Sequence, residues 1–182
     1  TATTEIYTLS YTTLFRSKMI AMDHRVNSLY SYRLQTSQDP LGWGLTFQRV
    51  KLPREVTIKY PRDENSLLRS WADADLIYAG MLDDLLVAYV TLEAKSLPKT
   101  ARICDLVVTP EVRLNGVATT MIAACENWAA KKKLDRVLIE IPMRNFPGIS
   151  LALKCGYEQC GFLDQYFPNS DPALFFEKRF GS

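Results

Sequence analysis

The sequence predicts an α/β (α+β) domain built on a mixed, mostly antiparallel sheet with a central parallel pair and a crossover helix. Three observations carry that prediction. Across residues 76–108, apolar runs alternate with short turn signals, which is the pattern of an antiparallel meander. Within residues 114–133, Val117, Met121, Ile122, Cys125, Trp128 and Ala129 fall on one helical face. Residues 136–141 then carry the unbroken run Val137-Leu138-Ile139, which suits a strand buried on both faces beside a parallel neighbour. A helix between two parallel strands of one sheet is a crossover.

The remaining elements follow in chain order. Residues 1–18 are rich in Thr and Ser and show no apolar period. Their heptapeptide Tyr11-Thr12-Thr13-Leu14-Phe15-Arg16-Ser17 looks like a translated sequencing adapter. We therefore read 1–18 as a non-native or disordered segment, place the natural start at Met19 or Met22, and treat 19–182 as a single domain. Residues 28–36 alternate weakly, and Asp39-Pro40-Leu41-Gly42-Trp43-Gly44 is turn chemistry. Residues 46–50 and 55–60 each suggest a strand, and 63–71 a short helix capped by Asp63 or Asn65. Strands at 76–80 and 85–93 flank the turn Met81-Leu82-Asp83-Asp84, and a connection with Pro98 leads to a strand at 102–108 that Thr109-Pro110 ends. Beyond the parallel strand, residues 145–155 read as a helix with Pro147 in its first turn and Gly156 just past its end. Strands at 157–167 and 173–180, joined through Pro168 and Pro172, close the sheet.

Composition limits the partners. With 182 residues, 47% of them hydrophobic, the chain is not disordered, and at this size roughly 70% of the unfolded surface can be buried. No stretch approaches the ~18 consecutive apolar residues of a membrane span, so no membrane partner is expected. A net charge of +2 gives no reason to expect a nucleic-acid partner. The Lys131-Lys132-Lys133 run suits the negative pole of a helix dipole. Cys104, Cys125, Cys155 and Cys160 form no C-x-x-C pair and the chain has a single His, so no metal site is expected. Reduced cysteines and no basic-then-apolar leader pattern make cytoplasmic the expected location.

The segment Arg113-Leu114-Asn115-Gly116-Val117-Ala118 is the informative one. At a helix start, unpaired N–H groups and the positive end of the dipole converge. Gly116 lets backbone approach a ligand, and Ala118 keeps the way open. Such a place suits an anion, and a pyrophosphate fits the space; an ordinary helix start with a surface Arg would read the same.

These residues match the R/Q-x-x-G-x-G/A motif of the GNAT family of N-acetyltransferases. The preceding Ile103-Cys104-Asp105-Leu106-Val107-Val108 resembles that family's central strand. Asn145 and Lys154-Cys155-Gly156-Tyr157-Glu158 resemble its second helix and the K-x-G-F that follows. The stretches from Cys160 to Tyr166 and from Ala173 to Phe176 resemble the tail of small-molecule acetyltransferases, including the streptothricin-type branch. The resemblance spans about residues 76–180. It implies the GNAT acyl-CoA acyltransferase fold and acetyl-CoA as cosubstrate. Backbone of Leu106, Val107 and Val108 would pair with the pantetheine, along a strand that carries a bulge. Amides of Arg113, Leu114, Asn115, Gly116, Val117 and Ala118, with Thr119 behind them, would cradle the pyrophosphate. Asn145 would sit beside the pantetheine across the cleft.

The implied reaction, an amine attacking a thioester, needs a base, because an amine of pKa ~10.4 is protonated at neutral pH. Glu140, a lone charge at the end of the parallel strand, is the first candidate, with a salt bridge to Arg144 or Arg102 as the structural reading. Asp105 is second and Glu93 third. The Val107 amide is the expected oxyanion donor. Many family members carry Tyr where Ala152 stands, so the leaving thiolate departs unassisted, or Tyr157 or Tyr166 supplies the proton. His24 reads as a surface residue, and Trp43 and Trp71 as pocket or core.

Two functions remain in view. One is an acetyl-CoA-dependent N-acetyltransferase acting on a primary amine of a small molecule or peptide, by direct attack in a ternary complex. The other is a non-catalytic acyl-CoA-binding module, favoured by Ala152. Residues before Trp71 and after Tyr157 would build the acceptor pocket, and a homodimer is compatible with either function. Asp63, Glu64, Asp73, Asp75, Asp83 and Asp84 suit a polyamine or polycationic drug, or are a solvated loop.

Overall fold

A computed structural model describes residues 4–8 and 13–180. Chain order runs β1 (Glu5–Thr8), α1 (Thr13–Ala21), β2 (Val26–Asp39), β3 (Gly42–Ile58) and α2 (Glu64–Asp73). The meander β4 (Leu76–Leu82), β5 (Leu85–Glu93) and β6 (Thr100–Val108) follows, then α3 (Val117–Lys131) and β7 (Arg136–Pro142). Helix α4 (Phe146–Lys154) and strands β8 (Glu158–Leu163) and β9 (Ala173–Arg179) complete the order. Seven strands form one sheet in the order β1-β4-β5-β6-β7-β9-β8, while β2 and β3 pair only with each other. Within the sheet β6 and β7 are parallel and the other pairs antiparallel. The predicted fold class is the observed one, with α3 as the crossover.

Local chemistry explains the elements. Asp83 and Asp84 both adopt positive φ (46° and 62°), giving the β4–β5 turn the mirror-image geometry that matches strand twist. Asp63 caps α2 by accepting from Ser66 N at 2.8 Å. Asn145 caps α4 by accepting from Gly148 N at 3.0 Å, and Gly156 ends that helix at φ 82°. Strand alternation then sends side chains to two cores, one on each face of the sheet. Val90, Val108 and Ile139 pack with Met121 and Cys125 of α3 and Ile149 of α4. Ile77, Tyr89 and Val107 pack with Met19 of α1 and Leu67 and Trp71 of α2.

Three stretches differ from the sequence expectation. The strands expected at 46–50 and 55–60 are one 17-residue strand, β3, paired with the 14-residue β2 in a ribbon that stands largely in solvent. Most of its side chains are exposed and only a few, such as Tyr32 and Phe47, pack against the core, so the ribbon carries little burial period to read. The strand expected at 157–167 stops at Leu163, where the chain leaves the sheet and Gln165 takes φ 48°. Within residues 1–18, Glu5–Thr8 pairs with β4, and α1 begins at Thr13 and brings Met19 into the core at 2% exposure. Tyr11 and Thr12 of the adapter-like heptapeptide lie outside the described residues.

Candidate active site

The cleft originates in the sheet itself. Strands β6 and β7 pair from Thr100↔Arg136 to Ile103↔Ile139 and then part. At that point Thr91 pairs with Asp105 but Leu92 with Ile103, so Cys104 is an extra residue on β6 and forms a bulge. The gap between the strands opens into a cleft of about 710 Å³. Thr109 N donates to Val87 O of β5 at 2.9 Å. By the alternation of an antiparallel ladder, Val107 also turns its backbone to β5, whereas Leu106 and Val108 turn theirs to the cleft. The Val107 amide is therefore spent in the sheet, and the amides of Leu106 and Val108 take the place expected of it.

Helix α3 begins at the other end of the cleft. Gly116 occupies its N-cap at φ 83°, with no side-chain cap and open space where a Cβ would stand. The helix ladder starts with Thr120 N to Gly116 O at 3.0 Å, so first-turn N–H groups at Val117, Ala118 and Thr119 lack helical acceptors. Leu114 (φ 65°) also turns left-handed, curving the chain before the helix. Neutral amides at a positive helix pole, beneath apolar strand walls, fit a pyrophosphate followed by a pantetheine arm. Of the expected cofactor residues, Leu106, Val107, Val108, Arg113, Leu114 and Gly116 line the cleft, as do Val117, Ala118, Thr119 and Asn145; Asn115 does not. The side chain of Asn145 is occupied as the α4 cap. Arg113 acts as a strut: its Nε donates to Val108 O (2.9 Å) and its Nη2 to Arg25 O (2.9 Å) and Asp23 O (3.4 Å).

A charged network lies where the strands part. Glu140 accepts from Arg62 Nη2 at one oxygen, and from Tyr166 OH and Arg102 Nη1 (3.3 Å) at the other. Asp105 accepts from Tyr60 OH (2.6 Å), Arg62 Nη1 (3.2 Å), Ser70 Oγ (2.7 Å) and Thr91 Oγ1 (3.1 Å). Both carboxylates are fully buried at the side chain, and their oxygens are bound by donors. Asp105 lines neither cavity. Arg62 itself is only 13% exposed. Burial opposes its charge, but Asp105, Tyr60 and Glu140 outweigh burial and raise its pKa. Of the two arginines expected to pair with Glu140, Arg102 does, while Arg144 instead binds Asp171 at 2.6 Å.

Glu93 is placed differently. Its Oε2 accepts from Arg102 Nη2, and its Oε1 has no hydrogen bond among the described residues. It lines a second pocket of about 340 Å³, and Arg62, Cys104 and Phe167 line both cavities. Burial, then Glu140, pushes the Cys104 thiol up to about 12, so it is no nucleophile at neutral pH. Ala152 presents a methyl to the cleft. Tyr157 is buried in the core and lines neither cavity. Tyr166 lines the second pocket, and its hydroxyl donates a hydrogen bond to Glu140. Trp71, at 1% exposure, is core, and Trp43, at 83%, stands in solvent near the ribbon tip.

Sequence reasoning missed Arg62 and misplaced His24. Arg62 sits in a weakly patterned stretch just before α2, and no spacing links it to residues 43 and 78 positions away. His24 is a half-buried wall of the cleft, not a surface residue. The Met22 carbonyl can only accept, so Nδ1 donates to it (2.7 Å) and Nε2 accepts from Tyr89 OH (2.9 Å). Burial lowers its pKa below the ordinary 6.5. Below pH 6.5 the unfolded chain thus takes up a proton that the folded chain resists, and stability falls with pH. Urea melts at about pH 7.5 and about pH 5.5 will show this loss in the wild type, and a smaller one in His24→Phe.

Among the described residues no helix is long and apolar enough to cross a membrane. The fold is that of a nourseothricin acetyltransferase, at 18% identity and TM-score 0.81 over 97% of this chain and 98% of that one. A Bacillus anthracis str. Ames protein, assigned as a streptothricin acetyltransferase and solved with acetyl coenzyme A, matches at 18% identity and TM-score 0.72, covering 99% of each chain. The ribosomal-protein-S18-alanine N-acetyltransferase of Escherichia coli matches at 12% identity and TM-score 0.67, over 99% of this chain and 96% of that one. No curated protein sequence matches this chain. The sequence profile of the acetyltransferase (GNAT) family covers residues 45–157, from near the start of β3 through the splayed strands to just past α4, and the chain belongs to that family.

Proposed function

We propose that the protein is an acetyl-CoA-dependent N-acetyltransferase that acetylates a primary amine of a small molecule or peptide by direct attack in a ternary complex. The observation that carries this reading is the pair of cavities meeting at Arg62, Cys104 and Phe167, one beside the α3 start and one beside Glu93. Two ligands can occupy such a site together, one in each cavity. When bound, acetyl-CoA supplies the acetyl group as a thioester. First-turn amides of α3 would hold its pyrophosphate, and cleft-facing backbone of Leu106 and Val108 its pantetheine and acyl carbonyl. Glu93, with one carboxylate oxygen uncommitted, is the base that takes the proton of an amine in the second pocket. Glu140 and Asp105 keep Arg62 and the bulge in place instead. The fold neighbours are named for a small-molecule and for a peptide acceptor, and both classes stay within the proposal.

Ala152 supports a second reading, a non-catalytic acyl-CoA-binding module, because it has no proton to give. One experiment separates these from neither. Acetyl-CoA at ~100 times its Kd adds about 2.7 kcal/mol, a Tm rise of roughly 5–10 °C for a domain of this size. A shift with CoA release in the presence of amines supports the transferase. A shift without release from any amine supports the binding module, and no shift from a folded chain rejects both.

A further inference from the structure

Resting on the reading above, we propose that Arg113 and Tyr30 are positioning residues that fasten the root of the β2–β3 ribbon across the cofactor cleft, so that acetyl-CoA enters and leaves only when the root lifts. The root crosses from one lip of the splayed sheet to the other. On the β6 side, Arg113 Nε donates to Val108 O (2.9 Å), while its Nη2 donates to Arg25 O (2.9 Å) and Asp23 O (3.4 Å). One guanidinium thus ties the end of β6 to residues 88 and 90 positions away, through the separately directed N–H groups of a planar fork. On the β7 side, Tyr32 N donates to Met143 O (3.4 Å) just past the strand. The Tyr30 and Tyr32 rings lie 5.0 and 6.3 Å from that of Phe146, the first residue of α4. Arg49 covers both Tyr30 and Phe146, at 5.2 and 5.7 Å from the ring centres.

Between the two anchors stand Val26 and Asn27, paired with Ile58 and Thr57. Val26, Asn27, Ile58 and Lys59 line the cleft together with Leu106 and Val108 of β6 and Ile141 of β7. The strand from Arg25 to Tyr30 covers about 16 Å at ~3.3 Å per residue, roughly three times the ~4.8 Å that separates paired strands. It is therefore long enough to bridge two strands that have parted. The ladder breaks beside this bridge: Ser28 pairs with Val56 but Tyr30 with Lys51, which puts residues 52–55 of β3 outside the register. Such an irregularity lets the root bend away from the rest of the ribbon. All three Arg113 acceptors are neutral backbone oxygens, whose bonds hold the root down yet break without leaving a buried carboxylate unpaired.

A fastening and a ligand contact differ in their kinetics. Loosening the root favours its opening in the free and the bound chain alike, so kon and koff rise together, whereas losing a bond to the ligand raises koff. The test follows CoA labelled with a fluorescent N-methylanthraniloyl group by stopped flow, on the full chain and on its Arg113→Met, Arg113→Lys and Tyr30→Ala variants. Arg113→Met is expected to raise both rates about tenfold and Tyr30→Ala about fivefold, with Kd held within about threefold. Arg113→Lys, one ammonium in place of a fork, falls between Met and the wild type. Tyr30 lines neither cavity, so a lost ligand contact cannot mimic its effect, and this variant carries the test if Arg113→Met does not fold. A rise in koff without kon in Arg113→Met, or unchanged rates in Tyr30→Ala, overturns the fastening while leaving the transferase standing. If acetyl-CoA neither binds the wild type nor raises its Tm, the transferase reading fails and this inference with it.

Discussion

Replacing Arg62 with Met is expected to cost about 3–5 kcal/mol of folding stability, the range for breaking a buried ion pair on one side. The effect is large because one guanidinium serves two carboxylates whose side chains have no exposure, Asp105 and Glu140, and a buried charge without a partner keeps its full desolvation cost. For a chain of this length the Tm falls by roughly 6–20 °C. A second contact makes the change visible at the cleft: Arg62 Nη1 also donates to Cys104 O, at 3.0 Å, on the bulge that parts β6 from β7. The acetyl-CoA-dependent Tm rise should therefore shrink in the same variant. Adding Asp105→Asn to Arg62→Met removes the carboxylate that has no other ion-pair partner among the described residues, whereas Glu140 keeps Arg102, and should recover at least half of the lost stability. A loss of under about 1 kcal/mol in Arg62→Met, or no recovery in the double variant, means that the network does not hold the fold.

Glu93→Gln is expected to lower kcat/KM by about 10²–10⁴-fold, the usual contribution of a positioned general base. The amide keeps an oxygen for Arg102 and the shape of the pocket, but it cannot take a proton from the acceptor ammonium. What activity remains depends on amine that is already deprotonated, so it should climb about tenfold per pH unit below the amine pKa. Glu140→Gln should behave in the opposite way. Its oxygens are bound by Arg62, Arg102 and Tyr166, so an amide there puts N–H against N–H and the loss appears in the melting curve. Comparing kcat/KM, its pH profile and Tm for the two variants decides between the carboxylates. If Glu93→Gln loses less than tenfold while Glu140→Gln keeps its Tm and loses more, the base is Glu140.

The order of elements after Asp75, a helix start near Gly116, and the parallel pair were legible in the residues themselves, while the left-handed turn at Gly116 came from the structure. Each depends on neighbours in the chain: a turn needs two aspartates with positive φ, a cap needs Asp63 three residues before Ser66, and a buried parallel strand needs an unbroken apolar run. The candidate cofactor segment could be picked out for the same reason, since its amides belong to consecutive residues. What only the tertiary structure decided concerns charges and backbone direction. Whether Glu140 or Glu93 keeps a free oxygen depends on Arg62 and Arg102, which arrive from other elements. Whether Val107 or Val108 turns an amide to the cleft depends on which groups β5 has already taken. Local sequence determines how the backbone bends and where its dipoles gather, because those energies act over a few residues. The accessibility of a buried carboxylate is set by the partners that surround it, and folding brings those partners together from 78 positions apart.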